Sequence, residues 1–275
     1  MRPPAPEPLP VPVVDTHCHL DMALDGDPTP VEAALAASAA VGVPRILQVG
    51  CEVDSARWSV EVAATHDDIV AAVALHPNEV ACLAIQGRAM LDAAYDEIEA
   101  LALHPRVRAV GETGLDYYRT GEDGWGVQEE SFRWHIALAK QLDKALVIHD
   151  RDAHHDIVRV LDSEGPPERV VFHCFSGGPE LARICADRGW YASFAGTVTF
   201  KNAQPLRDAL RLVPAGLVLV ETDAPYLAPT PYRGRPNASY LVPVTVRAMA
   251  ETRGDDLGAL CTAIGVNAET AFGRF

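Results

Sequence analysis

Two histidines one residue apart, His17 and His19, close an apolar run near the N-terminus in the order Asp15-Thr16-His17-Cys18-His19. On an extended strand the side chains alternate, so Asp15, His17 and His19 share one face and both imidazoles can reach a single ion. Further along stand Glu112 in Gly111-Glu112-Thr113-Gly114, then His149, His173 and, after Glu221-Thr222, Asp223. Four imidazoles and two carboxylates exceed what one tetrahedral zinc takes, and suit two divalent ions sharing a bridging carboxylate.

Each residue alone has a plainer explanation. An isolated His-x-His pair is more often incidental than ligating, Glu112 is a plausible strand-end cap, and a lone His149 or His173 is more often a core or rim histidine. Asp223, before Ala-Pro, is a natural turn opener. The elements that would carry these residues decide the matter. Eight short apolar, β-branched runs recur at 11–15, 45–50, 69–75, 107–112, 145–149, 169–173, 190–195 and 216–221. Helical patterns fall near 31–41, 54–65, 88–103, 127–143, 153–163, 179–188 and 202–212, with two more at 238–253 and 256–271. Strand and helix alternating in this way predict a parallel sheet with helical crossovers, and eight units predict an α/β fold of the TIM (β/α)8 barrel type in a single domain. A doubly wound open sheet is the competing architecture. The six candidate ligands lie at the C-terminal ends of five of the eight strands, the face on which barrel enzymes place their chemistry. Coincidence would require five unrelated explanations.

Weaker candidates surround this set. Arg151 follows His149 by two and shares its face, which makes it an anion clamp or a surface ion-pair partner. His76, in Leu75-His76-Pro77, ends the third strand and either contacts substrate or caps a turn. Arg233, in Pro231-Tyr232-Arg233-Gly234, offers a further phosphate contact. His66, His104 and His135 read as structural or solvated, His154 and His155 as rim residues, and Cys174 as packing.

The bulk composition bounds the function. Of 275 residues, 48% are hydrophobic and 22% charged, enough to bury a large core, and barrels of about 250 residues commonly form one domain. Residues 1–10, rich in proline, read as a flexible lead-in, and 11–275 as the barrel. The net charge of −15 disfavours a protein that coats nucleic acid, although bound cations reverse the local sign and leave phosphoester substrates open. Six scattered cysteines without Cys-x-x-Cys spacing fit a reducing, cytoplasmic setting. No run approaches the roughly 18 apolar residues that cross a bilayer. Walker, Gly-x-Ser-x-Gly and Gly-x-Gly-x-x-Gly motifs are missing, and aromatics do not interleave with a basic stripe.

Taken together, DTHCHLD (15–21), LHP (75–77), GETGLDY (111–117), Gln128 with Phe132, VIHDRDAH (147–154), HCFSGG (173–178), ETDAPYLAP (221–229), PYRG (231–234), Asn237, and Asn267 with Phe272 closely resemble the TatD family of metal-dependent deoxyribonucleases, within the amidohydrolase superfamily. The resemblance runs from residue 13 to the end. It implies a TIM barrel, two divalent ions, and hydrolysis of phosphodiester bonds, often as a 3′ to 5′ exonuclease on single-stranded DNA or RNA. By matching position it implies that His17, His19 and Asp223 hold the first ion, that His149 and His173 hold the second, and that Glu112 bridges. Thr113, Ala74 and the loop 119–126 depart from the usual pattern, which puts substrate preference in doubt.

The expected chemistry is attack on phosphorus by a water or hydroxide held between the ions, since coordination lowers the pKa of water from about 15.7 to about 7. Asp223 would accept the proton, Glu112 would hold the ions together, and Arg151, Arg233 and His76 would orient the phosphate. Within hydrolases the rival is an amide, lactone or aminoacyl-ester hydrolase; a one-metal deaminase and a non-catalytic scaffold are the others. Zinc, manganese and magnesium all remain open as the ion, and the oligomeric state is not legible.

Overall fold

Runs such as Ile69-Val70-Ala71-Ala72-Val73 carry no polar side chain, and a strand covered on both faces is how such a run is buried. The computed structural model describes residues 2–24, 26 and 28–275. Its strands are β1 (Val14–Cys18), β2 (Arg45–Gly50), β3 (Ile69–Val73), β4 (Val107–Asp116), β5 (Ala145–Arg151), β6 (Val170–Phe172), β7 (Tyr191–Phe194) and β8 (Val218–Val220). Its helices are α1 (Val31–Ala39), α2 (Val53–Thr65), α3 (Pro77–Gln86), α4 (Arg88–Ala102), α5 (Glu122–Gln141), α6 (His154–Glu164), α7 (Pro179–Arg188), α8 (Gln204–Leu212), α9 (Val242–Arg253) and α10 (Leu257–Phe272). The strands follow one another in sequence order in one sheet, β1 to β8, the (β/α)8 plan expected from the alternation. The chain divides into two units, residues 1–48 with 174–275, and residues 49–173.

In the first unit β1 pairs with β2 and β7 with β8, both in parallel, and a bridge joins Cys18 to Ala224 just beyond β8. Asn267 of α10 donates to the carbonyls of Ala215 and Val218 at 2.7 and 2.8 Å, seating that helix against the start of β8. The residues expected as a lead-in make definite contacts: Leu9 donates to the Val41 carbonyl at 3.0 Å, and the Tyr240 hydroxyl donates to the Pro3 carbonyl at 2.7 Å.

In the second unit β3 to β6 pair successively in parallel. The register of β4 on β5 shifts between Val110 and Thr113 and then continues through Gly114 opposite His149 to Asp116 opposite Arg151. Gly114 makes this possible. Its φ is +141°, and a Cβ there would stand 2.1 Å from the His149 carbonyl oxygen. Arg106, just before β4, braces the turn between α2 and β3, donating to the carbonyls of Ala63 at 3.0 Å, His66 at 3.2 Å and Asp67 at 2.8 Å, and also to that of Ile69.

Several boundaries differ from the sequence reading. The first strand, expected over 11–15, is Val14–Cys18, so His17 lies on the strand and His19 just after it. β4 runs four residues past Glu112. Helix α3 was not expected; it starts at Pro77, which lacks an N–H that the first turn could not use, and His76 caps it by accepting from the Asn78 N–H at 3.1 Å. Residues 122–126 of the expected loop 119–126 open α5, where Glu122 and Asp123 face the positive end of the helix dipole. Residues 239–241 form a 3-10 turn before α9.

Candidate functional site

In the second unit three elements bring their side chains to one carboxylate oxygen. Glu112 on β4 presents Oε2, which lies 3.1 Å from Nδ1 of His149 on β5 and 2.8 Å from Nε2 of His173 just after β6. Ligand atoms of these three residues all fall within 4.8 Å of one another. The other oxygen of Glu112 accepts from the Cys51 thiol at 3.2 Å. Both imidazole nitrogens and the carboxylate are donors that zinc and manganese accept, and their shared focus is where a cation would relieve the crowding of lone pairs. The residues therefore fit a divalent ion.

His149 is held on both sides. Its Nε2 lies 3.2 Å from Oδ2 of Asp116, four residues beyond Glu112 on the same strand. Burial pushes its pKa down, but the hydrogen bonds to Asp116 and Glu112 outweigh that effect and keep it above the ordinary histidine value. Burial would raise the Asp116 carboxyl. Hydrogen bonds from His149, the Arg119 backbone and Asn78 more than offset this and hold it well below the usual range. The His76 ring packs edge-on against His149 at 4.4 Å between centroids, and burial lowers its pKa to about 3, so it stands neutral.

In the first unit Nε2 of His17 and Nε2 of His19 face Oδ1 of Asp223 at 3.9 and 3.6 Å, with the two rings 5.1 Å apart. Asp223 occupies the left-handed region at φ 54°, which a short polar side chain tolerates, and its N–H donates to the His17 carbonyl at 2.9 Å. The plainer expectation for Asp223 also holds, because its carbonyl accepts from Tyr226 in a turn. The brace behind this group is Asp15. Its two oxygens accept from the N–H and hydroxyl of Thr222 at 2.9 and 2.6 Å, tying β1 to the end of β8. Burial raises the Asp15 pKa to about 6 against the opposing hydrogen bonds from Thr222 and Ser239. Glu221, beside it, accepts from the Cys174 N–H at 2.8 Å.

The remaining candidates sit against aromatic rings. The Arg151 guanidinium lies 4.2 Å above the Tyr118 ring and that of Arg233 lies 4.0 Å above Phe200; both arginines are exposed. His154 leans on Asp150 at 2.7 Å, while His155 is exposed. Sequence reasoning passed over Asp116, Cys51 and the bracing role of Asp15. A longer fourth strand would have revealed the first, since 112, 114 and 116 share a face.

The family model described as TatD related DNase matches residues 14–273. A protein of Mycobacterium tuberculosis described as an uncharacterized metal-dependent hydrolase TatD is 45% identical over 250 residues, covering 88% of this chain and 91% of its own. Among solved structures, YjjV, a TatD homologue from Escherichia coli K12, superposes with a TM-score of 0.83 at 27% identity, covering 94% of this chain and 97% of its own. An uncharacterized amidohydrolase from Saccharomyces cerevisiae shares the fold, with a TM-score of 0.81 at 16% identity, covering 96% of this chain and all 100% of its own. No helix among the described residues is long and apolar enough to cross a membrane. With ligand-type residues gathered in each unit and the family model spanning nearly its whole length, the chain is a metal-dependent hydrolase with a TIM-barrel fold, and it belongs to the TatD-related DNase family.

Proposed function

We propose that the chain is a nuclease that hydrolyses phosphodiester bonds in DNA, acting 3′ to 5′ on short or single-stranded ends, by means of a binuclear metal site. The observation that carries the proposal is the convergence of His149 Nδ1 and His173 Nε2 on one oxygen of Glu112. In this reading His17, His19 and Asp223 hold one ion, His149 and His173 the other, and Glu112 is shared. Zinc, manganese or magnesium would supply Lewis acidity toward a phosphoryl oxygen and acidify the attacking water.

The protein's own groups do the rest. Asp223 accepts the proton of the nucleophile at Oδ1, the oxygen that faces His17 and His19. His76, neutral beside His149, offers a ring nitrogen to the phosphate, and Arg151 and Arg233 pair with its charge. A net charge of −15 repels long polyanions, which suits attack on ends more than wrapping of a duplex. Six scattered cysteines without Cys-x-x-Cys spacing suit a reducing cytoplasm.

The test is hydrolysis of oligonucleotides labelled at the 5′ or the 3′ end, with zinc, manganese or magnesium added singly, beside a panel of lactones, amides and aminoacyl esters. Shortening from the 3′ end is expected. No phosphodiester cleavage together with rapid amide or ester turnover would reverse the assignment in favour of carbonyl chemistry on the same centre.

A further inference from the structure

We propose that Asp116 is a positioning residue of the metal site: its carboxylate fixes the tautomer and the tilt of His149, so that Nδ1 is the nitrogen presented to the ion. Asp116 is 1% exposed, and each of its oxygens is committed. Oδ1 accepts from the backbone N–H groups of Tyr118 at 3.1 Å and Arg119 at 2.8 Å. Oδ2 accepts from Nδ2 of Asn78 at 3.0 Å and lies 3.2 Å from Nε2 of His149.

The orientation of Asn78 is itself determined. The Thr120 hydroxyl donates to Asn78 Oδ1 at 2.7 Å, which leaves the amide NH2 as the end that meets Asp116. With three donors already aimed at it, the Asp116 carboxylate has no proton to give. In its neutral form His149 therefore brings the N–H on Nε2, and its Nδ1 lone pair then points at Glu112 Oε2, 3.1 Å away. His173 Nε2 approaches that same oxygen. A lone pair facing a carboxylate is repulsive unless a proton or a cation lies between them, so the ring is aimed at a cation by the residue behind it. Strand β4 supplies both partners, Glu112 in front and Asp116 behind, while Gly114 between them allows the His149 backbone to approach.

The inference rests on the assignment of His149 as a ligand and not on the substrate, so it is read without turnover. A lack of nuclease activity would sink the proposed function and leave this test intact. In the wild-type protein freed of metal, at alkaline pH where the ring is neutral, the ¹⁵N NMR signal lost in His149→Gln is expected to show the Nε2–H tautomer. A proton on Nδ1 overturns the proposal. Calorimetric titration of Asp116→Ala with zinc is expected to show one of the two ions bound about 10- to 100-fold more weakly, the usual effect of losing such a partner, with the other ion little changed. Asp116→Asn, whose amide can turn an N–H toward His149, is expected to weaken the same ion. Unchanged affinity for both ions in a folded Asp116→Ala protein overturns the proposal, and the wild-type NMR result decides it if that variant does not fold.

Discussion

The backbone N–H of Leu75 donates to Nε2 of His135 across 3.1 Å, which places the proton of that ring on Nδ1. That N–H donates in turn to the Ser131 carbonyl at 2.8 Å, with the Thr113 hydroxyl 3.0 Å away. One buried imidazole thus ties the end of β3, the middle of β4 and α5 together, and it can do so only while neutral.

Acid should therefore loosen the protein through this residue. Burial lowers the His135 pKa to about 4, below its unfolded value of 6.5. Its contribution is fully present above about pH 6.5 and is lost as the pH falls toward 4, on the order of 3 kcal/mol across that window. Urea unfolding of the wild type and His135→Gln at several pH values checks this: the wild type should lose its advantage over the variant on acidification. Parallel curves would show that His135 does not titrate as described.

Gly114→Ala should be far more damaging than a surface glycine change. A Cβ at 114 meets the His149 carbonyl at 2.1 Å in a backbone conformation that disfavours side chains, so a loss of about 3 kcal/mol or more is expected. Gly126, inside α5, has nothing within 4 Å of its would-be Cβ, and Gly126→Ala should stabilise by about 0.5–1 kcal/mol. Thermal unfolding of the two variants gives opposite signs if this account is right.

Glu112→Ala removes the carboxylate that His149 and His173 share. Hydrolysis should be abolished and metal should bind more loosely, as seen in metal content after dialysis. Unchanged turnover at saturating metal would refute a shared-ligand role.

Arg106→Ala opens the carbonyls of Ala63, His66, Asp67 and Ile69 together. The expected cost is about 2 kcal/mol and a melting point several degrees lower. Arg106→Lys should recover only part of it, because an ammonium lacks the planar fork that reaches four acceptors. Full recovery by lysine would mean that charge alone matters here.

Much of the barrel could be read from the chain because parallel strands buried on both faces leave continuous apolar runs. The candidate ligands stood out because His17, Glu112, His149 and His173 each fall at or near the end of such a run. Helix α3 escaped notice because Pro77 and His76 look like a turn when taken alone. The extension of β4 escaped because Gly114 and Asp116 resemble loop residues until the register with β5 is known. Asp15 gave no sign of its partner, since Thr222 lies 207 residues away.

That separation has a bearing on synthesis. Residues 49–173 form one uninterrupted stretch, so the second unit has all its strands once residue 173 has emerged. The first unit draws on both ends of the chain. Asp15, buried with its pKa raised, has no Thr222 to bind until 207 more residues have been made, and β8 waits further for Asn267 of α10. The unit that carries the His17–His19 pair is thus the last to be completed on the ribosome, and a nascent chain stopped short of α10 would leave that unit without Asn267 to seat on β8.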